Sequence, residues 1–334
     1  MANRLSNSSI NRYLTCNESW RLHYREGYRP TELSSALIFG SAIGKAFEYI
    51  LTKRNDIPTP EGQEAKELTP KEYFDYHWLY QDVNGVLTNL KEYKNVTYSK
   101  YDLDQDLATT PYESLRVKAH LMIDTFISDL LPQIEHVYST EEKVELTNEE
   151  GDSSIGFADA VVKLKEYYKP VILDFKTAAR FYETDSVVTS VQLAQYLHTL
   201  GPKYETRLAG YAVFLKNISK NKVKICSKCG FDGSGARHKT CAAEIQEKRC
   251  GGEWTETLRP KAELQLLVDA IPENFENFVI DNVALVNDAI KAGIFVKNVS
   301  KCLDNGYGRR CEFYNICHNN SEEGLIKVEP RKDK

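Results

Sequence analysis

The chain has 334 residues, of which 42% are apolar, so it can bury a substantial core in one large domain with insertions or in two smaller domains. No apolar run approaches the roughly 18 to 20 residues that cross a bilayer, and the first residues lack the charged-then-apolar order of a signal peptide, so we expect a cytoplasmic protein that does not enter membranes. The net charge of −5 argues against a protein that grips nucleic acid over its whole surface, although positive charge can be concentrated locally.

The first part of the chain is predicted to be mainly helical. A Ser-rich start followed by apolar residues is typical of a capped helix, and helical spacing of apolar residues recurs further along. In chain order, the predicted helices run to about Gly27, over Ile43 to Leu51, and over about 70–80, 82–92 and 111–131.

After residue 131 the pattern changes from helix to strand. Short β-prone segments separated by turn-like sequences predict an antiparallel meander, followed by a helix, a further strand and two late helices. In chain order these segments are Val144–Leu146, Ile155–Leu164, Val171–Thr177, 187–200, Leu208–Leu215, 260–270 and 272–292.

One predicted strand combines a carboxylate with an ammonium in an apolar run. In the sequence VILDFKTA, alternate residues share a face, so Ile172, Asp174 and Lys176 lie together. Asp159, in GFADAVV, interrupts the preceding strand in the same way. A carboxylate in a buried strand is costly unless it is paired or binds a metal. The pattern is therefore equally compatible with a buried ion pair at a sheet edge and with a site for Mg²⁺.

Four short motifs, in this order, resemble the RecB-like branch of the PD-(D/E)XK nuclease superfamily. They are GSAIGKAFE at 40–48 on a helix, GFAD at 156–159 and DFK at 174–176 on successive strands, and QLAQY at 192–196 on a helix. The resemblance covers residues 1 to about 215 and the last cysteines. No single motif is specific, but the order and spacing of all four are.

The resemblance implies an α/β fold with a restriction-endonuclease-like core, in which a mixed β-sheet is flanked by helices. It implies an Mg²⁺- or Mn²⁺-dependent deoxyribonuclease that hydrolyses phosphodiester bonds, as an exonuclease on single-stranded DNA or duplex ends. The corresponding processes are DNA repair, recombination or viral DNA processing, with a helicase or recombination protein as partner.

The resemblance also implies roles for residues at the matching positions. The three carboxylates would bind the metal, and the lysine would stabilise charge on the phosphate or position the attacking water. The glutamine and tyrosine, one helical turn apart, would line the active site and contact substrate. These residues are Glu48, Asp159, Asp174, Lys176, Gln192 and Tyr196.

One position departs from the family pattern. Many RecB-like nucleases have a histidine four residues before the motif glutamate, where this chain has Gly44. The change removes an expected metal ligand, which water or another side chain could replace, since Mg²⁺ commonly keeps several waters. It also favours an alternative, in which the chain is a catalytically inactive nuclease-fold protein that binds DNA or serves in assembly.

The eight cysteines fall into two groups of four, and metal ligation explains them better than disulfides in a reducing compartment. The first group is compact and typical of a structural zinc site, with His238 as a substitute ligand. Its members are Cys226, Cys229, Cys241 and Cys250.

The first cysteine group defines a zinc-ribbon-like insert at 222–256, within a nuclease core formed by 1–221 and 257–334. Between Lys216 and Arg249 there are nine Lys or Arg and three Asp or Glu, a difference of +6 in an otherwise acidic chain. This stretch could contact phosphate or could be a solvated face around the thiolates.

The second cysteine group is spread over both ends of the chain, which it would join. It resembles the iron-sulfur variant of RecB-like nucleases, and the resemblance implies a structural [4Fe-4S] cluster. Zinc or free thiols remain alternatives, because the spacing between the second and third members is longer than usual. The members are Cys16, Cys302, Cys311 and Cys317.

Overall fold

The computed structural model describes residues 4–53, 67–83, 86–89, 96–147, 153–233, 238–245, 248–303 and 310–329. Its helices are α1 (Asn7–Thr15), α2 (Asn17–Trp20), α3 (Ser35–Thr52), α4 (Pro70–Leu79), α5 (Pro111–Thr125), α6 (Val191–Tyr204), α7 (Glu273–Lys291) and α8 (Tyr314–Asn319). Its strands are β1 (Arg4–Ser6), β2 (Tyr28–Pro30), β3 (Leu33–Ser34), β4 (Tyr80–Val83), β5 (Val86–Asn89), β6 (Val96–Thr97), β7 (Ile134–Thr147), β8 (Ser153–Leu164), β9 (Val171–Ala178), β10 (Leu208–Leu215), β11 (Ser219–Cys226), β12 (Glu244–Ile245), β13 (Lys248–Arg249), β14 (Trp254–Lys261), β15 (Leu264–Ala270) and β16 (Leu325–Lys327).

Within the described residues, six strands form a central mixed sheet. Its order is β1-β8-β9-β10-β15, and β7 pairs with the other edge of β8. The pairs β1–β8 and β9–β10 are parallel, whereas β7–β8, β8–β9 and β10–β15 are antiparallel. Both β1 and β9 pair with the same edge of β8. Between Ile155 and Ala160 neither strand pairs with that edge, which leaves a gap there.

The two faces of the sheet are covered by different helices. On one face, Phe47 of α3 stacks on Phe126 with ring centroids 4.6 Å apart, and both pack on Phe175 and Phe214 of the sheet. On the other face, apolar residues of α6 and α7 pack against inward-facing residues of the strands. Because both faces are buried, the sheet can carry polar groups only where strands or helices separate.

The β10–β15 hairpin continues beyond the sheet as a second pair of strands. The pairing of β10 with β15 reaches Phe214 and Leu264, and the pairing of β11 with β14 begins at Ser219 and Lys261. We call the β11–β14 pair the ribbon. Its far end carries the compact cysteine group and the short β12–β13 pair.

Most of the predicted elements are confirmed, with shifted ends. The meander of β7, β8 and β9 and the strand β10 lie where the pattern placed them, and α5 continues as a π-helical turn to Leu130. The first predicted helix is interrupted at Cys16, which has extended backbone angles. The helix predicted from 187 begins at Val191, because Ser190 caps it by accepting the N–H of Leu193.

Two helix predictions are wrong. Residues 260–270, in which Leu is the commonest residue, form the end of β14 and the whole of β15, because pairing with β10 overrides the local preference. In the helix predicted at 82–92, the described residues form an antiparallel β4–β5 pair. The remaining residues of that prediction, 84–85 and 90–92, lie outside the described residues.

No helix in the described ranges combines the length and the hydrophobicity needed to span a bilayer.

A buried carboxylate connects the start of α3 to the end of β10. Asp102 is fully buried, and its Oδ2 accepts hydrogen bonds from Oγ of Ser35 at 2.6 Å and from the N–H of Ser99 at 2.7 Å. Its Oδ1 lies 3.2 Å from Nζ of Lys216, the residue that follows β10. Burial opposes ionisation of Asp102, but these partners outweigh it and lower its pKa.

We expect Asp102→Ala to lower the free energy of unfolding by roughly 3–5 kcal/mol, because it leaves the buried ammonium of Lys216 without its carboxylate. Urea unfolding measures this change. The matched control is Asp124→Ala, since Asp124 pairs with Lys71 but its side chain is 55% exposed. The control should change stability by about 1 kcal/mol or less, and equal losses in the two variants would contradict the assigned role of Asp102.

Candidate active site

Three carboxylates lie in one row across neighbouring strands. The pairing of β8 with β9 ends at Ala160 and Leu173, so Asp159 and Asp174 stand opposite each other at the next position, where the strands separate. On β7, the pairs on either side of Glu141 place that residue opposite Asp159. Residues directly opposite in an antiparallel pair share a face, so Asp159 and Asp174 point to the same side of the sheet.

Asp159 replaces the missing backbone pair with a side-chain contact. Its Oδ2 accepts the N–H of Phe175 at 2.5 Å. This hydrogen bond holds the carboxylate in the gap between β8 and β9 and satisfies a backbone donor that the separated strands leave without a ladder partner.

Asp174 is the centre of a hydrogen-bonded network with α6. It is 2% exposed, and its Oδ2 lies 2.5 Å from Nζ of Lys176 in an ion pair. Nε2 of Gln192 donates to Oδ1 of Asp174 and to the hydroxyl of Tyr196, both at 2.7 Å. Nζ of Lys176 also donates to Oε1 of Gln192 at 3.1 Å. The structure thus brings four of the predicted site residues into direct contact.

The network is held in place by the start of α6 and by β10. The hydroxyls of Ser190, the cap of α6, and Tyr211 are 2.6 Å apart. Tyr211 is opposite Asp174 in the β9–β10 ladder, and Nζ of Lys176 lies 5.8 Å from the centre of its ring. The start of α6 and the strand β9 are therefore both held by Tyr211.

The site is short of positive charge. Burial raises the pKa of Asp159 well above its usual value, and the nearby Asp174 raises it further. Burial also raises the pKa of Asp174, against the effect of Lys176. Burial lowers the pKa of Lys176, but Asp174 outweighs it, so the pKa is raised and the ammonium stays charged. Lys176 pairs with the buried Asp174 beside the half-buried Asp159, an arrangement that a divalent cation would stabilise.

Glu141 is a site residue that sequence reasoning missed. Its backbone is left-handed, with φ of 47°, which is unusual for a non-glycine residue. Burial raises its pKa, the charges of Glu48 and Asp174 raise it further, and Lys45 opposes them, so Glu141 lies within electrostatic reach of both carboxylates. The sequence offered one signal, the adjacent Glu141 and Glu142 ahead of a predicted strand, but that strand was predicted only from Val144.

Glu48 is the most loosely connected of the predicted residues. It is half-buried on α3, and no hydrogen bond or ion pair between described side chains joins it to Asp159 or Asp174. The charge of Glu48 raises the pKa of Glu141, which lies opposite Asp159. A Cβ added at Gly44, one turn earlier on α3, would meet nothing within 4 Å, so the position of the family histidine faces open space.

The compact cysteine group has the geometry of a tetrathiolate metal site. The ligand atoms of Cys226, Cys229, Cys241 and Cys250 all lie within 4.8 Å of one another. Two sulfur pairs are 3.6 and 3.7 Å apart, close to the roughly 3.8 Å edge of a tetrahedron with 2.3 Å metal–sulfur bonds. His238 is not in this group, and its carbonyl oxygen accepts the indole N–H of Trp254.

One thiol of this group is already favoured as a thiolate. Burial opposes ionisation of Cys226, but the backbone N–H groups of Cys229 and Lys228 outweigh it and lower the pKa of Cys226 to about 6. The chemistry of the four donors therefore fits a metal ion, and no cysteine in the chain forms a disulfide.

The second cysteine group also comes together in space. Cys16, Cys302, Cys311 and Cys317 line one small cavity between the two ends of the chain. Burial raises the pKa of Cys311 to about 11, and the charges of Cys16 and Cys302 act in the same direction. These four sulfurs are more widely spaced than the first group, which is the only cysteine set among the described residues to lie within 4.8 Å.

A family model described as the PD-(D/E)XK nuclease superfamily matches residues 4–318. The match covers nearly the whole chain, so the chain belongs to this superfamily, whose members are typically metal-dependent nucleases. No curated protein matches the chain. The predicted α/β fold, a mixed sheet flanked by helices and consistent with a restriction-endonuclease-like core, is confirmed.

Gly156 provides space for the ring of Tyr196. A Cβ at this position would lie 2.8 Å from Cε1 of Tyr196, which is only 3% exposed and has little room to move. We expect Gly156→Ala to displace the ring and to lower the free energy of unfolding by about 1–3 kcal/mol. Chemical denaturation measures the loss.

The control is Gly44→Ala, where the added methyl group meets no atom within 4 Å. In the interior of α3 this change should leave stability unaltered or raise it by about 0.5–1 kcal/mol. A Gly156→Ala variant as stable as the Gly44→Ala variant would show that the contact with Tyr196 is not close.

Proposed function

We propose that the chain is an Mg²⁺- or Mn²⁺-dependent deoxyribonuclease of the RecB-like branch, acting as an exonuclease on single-stranded DNA or duplex ends. The observation that carries the proposal is the buried Asp174, which faces Asp159 where two strands separate and lies 2.5 Å from Nζ of Lys176. Two carboxylates and one ammonium in one pocket suit phosphodiester hydrolysis, and membership of the nuclease superfamily supports it.

The donor set fits a hard divalent cation. All the candidate ligands are carboxylate oxygens, which Mg²⁺ and Mn²⁺ prefer. Oδ2 of Asp174 is buried and accepts no hydrogen bond of good geometry from the described residues, although it lies beside Lys176. Asp159, Asp174 and Glu48 would hold the ion. When bound, it would neutralise charge on the phosphate and lower the pKa of a coordinated water.

The residues of the network have distinct tasks in this proposal. Lys176 stays charged and would donate to a phosphate oxygen as negative charge develops there. Gln192 bridges Asp174 and Lys176 and so fixes the direction of the ammonium. Burial raises the pKa of Tyr196, which therefore stays protonated and would donate its hydroxyl to the bound strand.

Glu141 is a candidate for the ligand that Gly44 does not supply. The charges of Glu48 and Asp174, which come from different elements, both act on the pKa of Glu141. A fourth carboxylate from β7 would complete the oxygen set without a histidine, and the left-handed backbone at Glu141 would aim it there.

The second candidate is a nuclease-fold protein that binds DNA or serves in assembly without hydrolysis. Gly44 favours it, because one expected ligand is absent. Titration with Mn²⁺ discriminates between the two functions: an enzyme should bind the ion through Asp159 and Asp174, whereas a scaffold should bind DNA equally well with and without it.

The two cysteine groups would hold different cofactors. The spacing of the first group supports a structural zinc ion at the end of the ribbon. The second group lines one cavity, and the resemblance to the iron-sulfur variant of RecB-like nucleases supports a [4Fe-4S] cluster there. Roles in DNA repair, recombination or viral DNA processing, a helicase or recombination partner and a cytoplasmic location rest on the resemblance to RecB-like nucleases.

We expect the purified protein to degrade end-labelled DNA in the presence of Mg²⁺ or Mn²⁺. Asp174→Asn and Lys176→Ala should each reduce the rate by about 10²–10³-fold, because each removes charge at the reacting phosphate. Glu141→Gln should cost roughly 10-fold to 100-fold. Asp124→Asn, far from the site on an exposed face of α5, is the control, and wild-type rates in the Asp174 or Lys176 variants would refute the assignment.

Metal analysis separates the cofactors. Protein purified without oxygen should contain one zinc per chain together with iron and an iron-sulfur absorption band. Cys229→Ser should lose zinc and keep iron, whereas Cys311→Ser should lose iron and keep zinc, so each variant is the control for the other. A colourless protein with two zincs would overturn the cluster and leave the zinc site standing.

A further inference from the structure

The ribbon continues the β10–β15 hairpin, and its own core is a small cluster of buried cysteines with Trp254 at its far end. β11 and β14 pair at eight successive positions, from Ser219–Lys261 to Cys226–Trp254, and most residues of β14 are exposed. A two-stranded sheet is marginally stable by itself, so the four thiolates at the far end are what holds it. The exposed side chains of a ribbon that is held by these thiolates are available to contact a partner molecule.

One side of the ribbon carries a line of ammonium groups. Lys220, Lys222 and Lys224 alternate along β11 and therefore share a face. Lys220 pairs with Asp104 and Asp106 at the base of the ribbon, and this contact sets the ribbon against the body of the protein.

The next two lysines lie further out and are available to a partner. Neither Lys222 nor Lys224 forms an ion pair with a described residue, although Glu256 is opposite Lys224 in the ladder. Opposite Lys222 is Leu258, which is 58% exposed.

The far end of the ribbon is also positively charged. Its exposed basic residues include Lys228, Lys239, Lys248 and Arg249. From Lys216 to Arg249 there are nine basic and three acidic residues in a chain whose net charge is −5. A local positive surface on an acidic protein is suited to a polyanion and would steer it to this place.

The position of the ribbon relates this surface to the active site. β10 carries Tyr211 opposite Asp174, and the ribbon begins at Ser219 of the same hairpin. Lys222 and Lys224 follow Tyr211 by 11 and 13 residues, which in extended chain span at most about 36–43 Å, or roughly 11 to 13 base pairs at 3.4 Å each. DNA that reaches from Asp174 to the ribbon would therefore pass the lysines about one helical turn behind the cleaved end.

We propose that the lysine face of the ribbon binds the phosphate backbone of double-stranded DNA behind the end presented to the active site. A two-stranded ribbon has the width that a duplex groove accepts, and its alternating lysines face the phosphates. The proposal rests on the proposed function in taking DNA as the substrate. It adds that the form of DNA recognised is the duplex, and that the ribbon, held by its zinc, is the element that recognises it.

The test is equilibrium binding of fluorescent 20-base-pair duplex DNA, and of one of its strands alone, by the zinc-loaded full-length protein without Mg²⁺ or Mn²⁺. In Lys222→Gln/Lys224→Gln, we expect duplex affinity to fall by roughly 10-fold to 60-fold at 0.1 M salt and the log–log salt slope to shrink by about two. The control is Lys165→Gln/Lys169→Gln, two exposed lysines in the turn between β8 and β9. It should bind as the wild type does.

Wild-type duplex affinity in the ribbon variant overturns the proposal, and so does an equal loss for duplex and single strand. Zinc content and urea unfolding equal to those of the wild type show that the variant is folded. Because binding is measured without cleavage, the two proposals fail separately. A wild-type protein that binds duplex but cleaves no DNA with either metal refutes the nuclease and leaves the ribbon assignment intact.

Discussion

The arrangement of the site depends on one electrostatic constraint: the carboxylates of Asp159 and Asp174 face each other where β8 and β9 separate, and Lys176 pairs with Asp174. Such a group is stable only if hydrogen bonds and positive charge compensate for lost hydration. The N–H of Phe175 and the amide of Gln192 supply part of this compensation. The remaining excess of negative charge would favour a bound cation.

The fold meets this constraint by interrupting its own sheet. β1 and β9 share one edge of β8 but leave the positions around Asp159 without a partner strand on that edge, so polar groups can enter an otherwise apolar layer. Gly156 lies in the same gap and leaves room for the ring of Tyr196. The site is therefore formed by the absence of regular pairing at one place rather than by an added loop.

The sequence predicted the strands and helices that carry strong periodicity, and it brought out Asp159, Asp174 and Lys176 because charges in apolar strands are conspicuous. It missed β15, since a Leu-rich segment without strand-like alternation becomes a strand only through pairing with β10. Glu141 was missed for a different reason. Its position depends on a left-handed residue in a long strand and on a row of neighbours from β8 and β9, neither of which local pattern contains.

The buried Asp102 has a consequence for how parts of the molecule can move. It ties Ser35, at the start of the helix that carries Glu48, to Lys216, just before the strands leave the body of the protein. The neighbouring Asp104 and Asp106 form ion pairs with Lys220 of the ribbon. Tilting the ribbon would therefore displace Ser35 at the start of α3 or separate Lys216 from Asp102. The ribbon and α3 are thus mechanically coupled through the short loop that carries Asp102, Asp104 and Asp106.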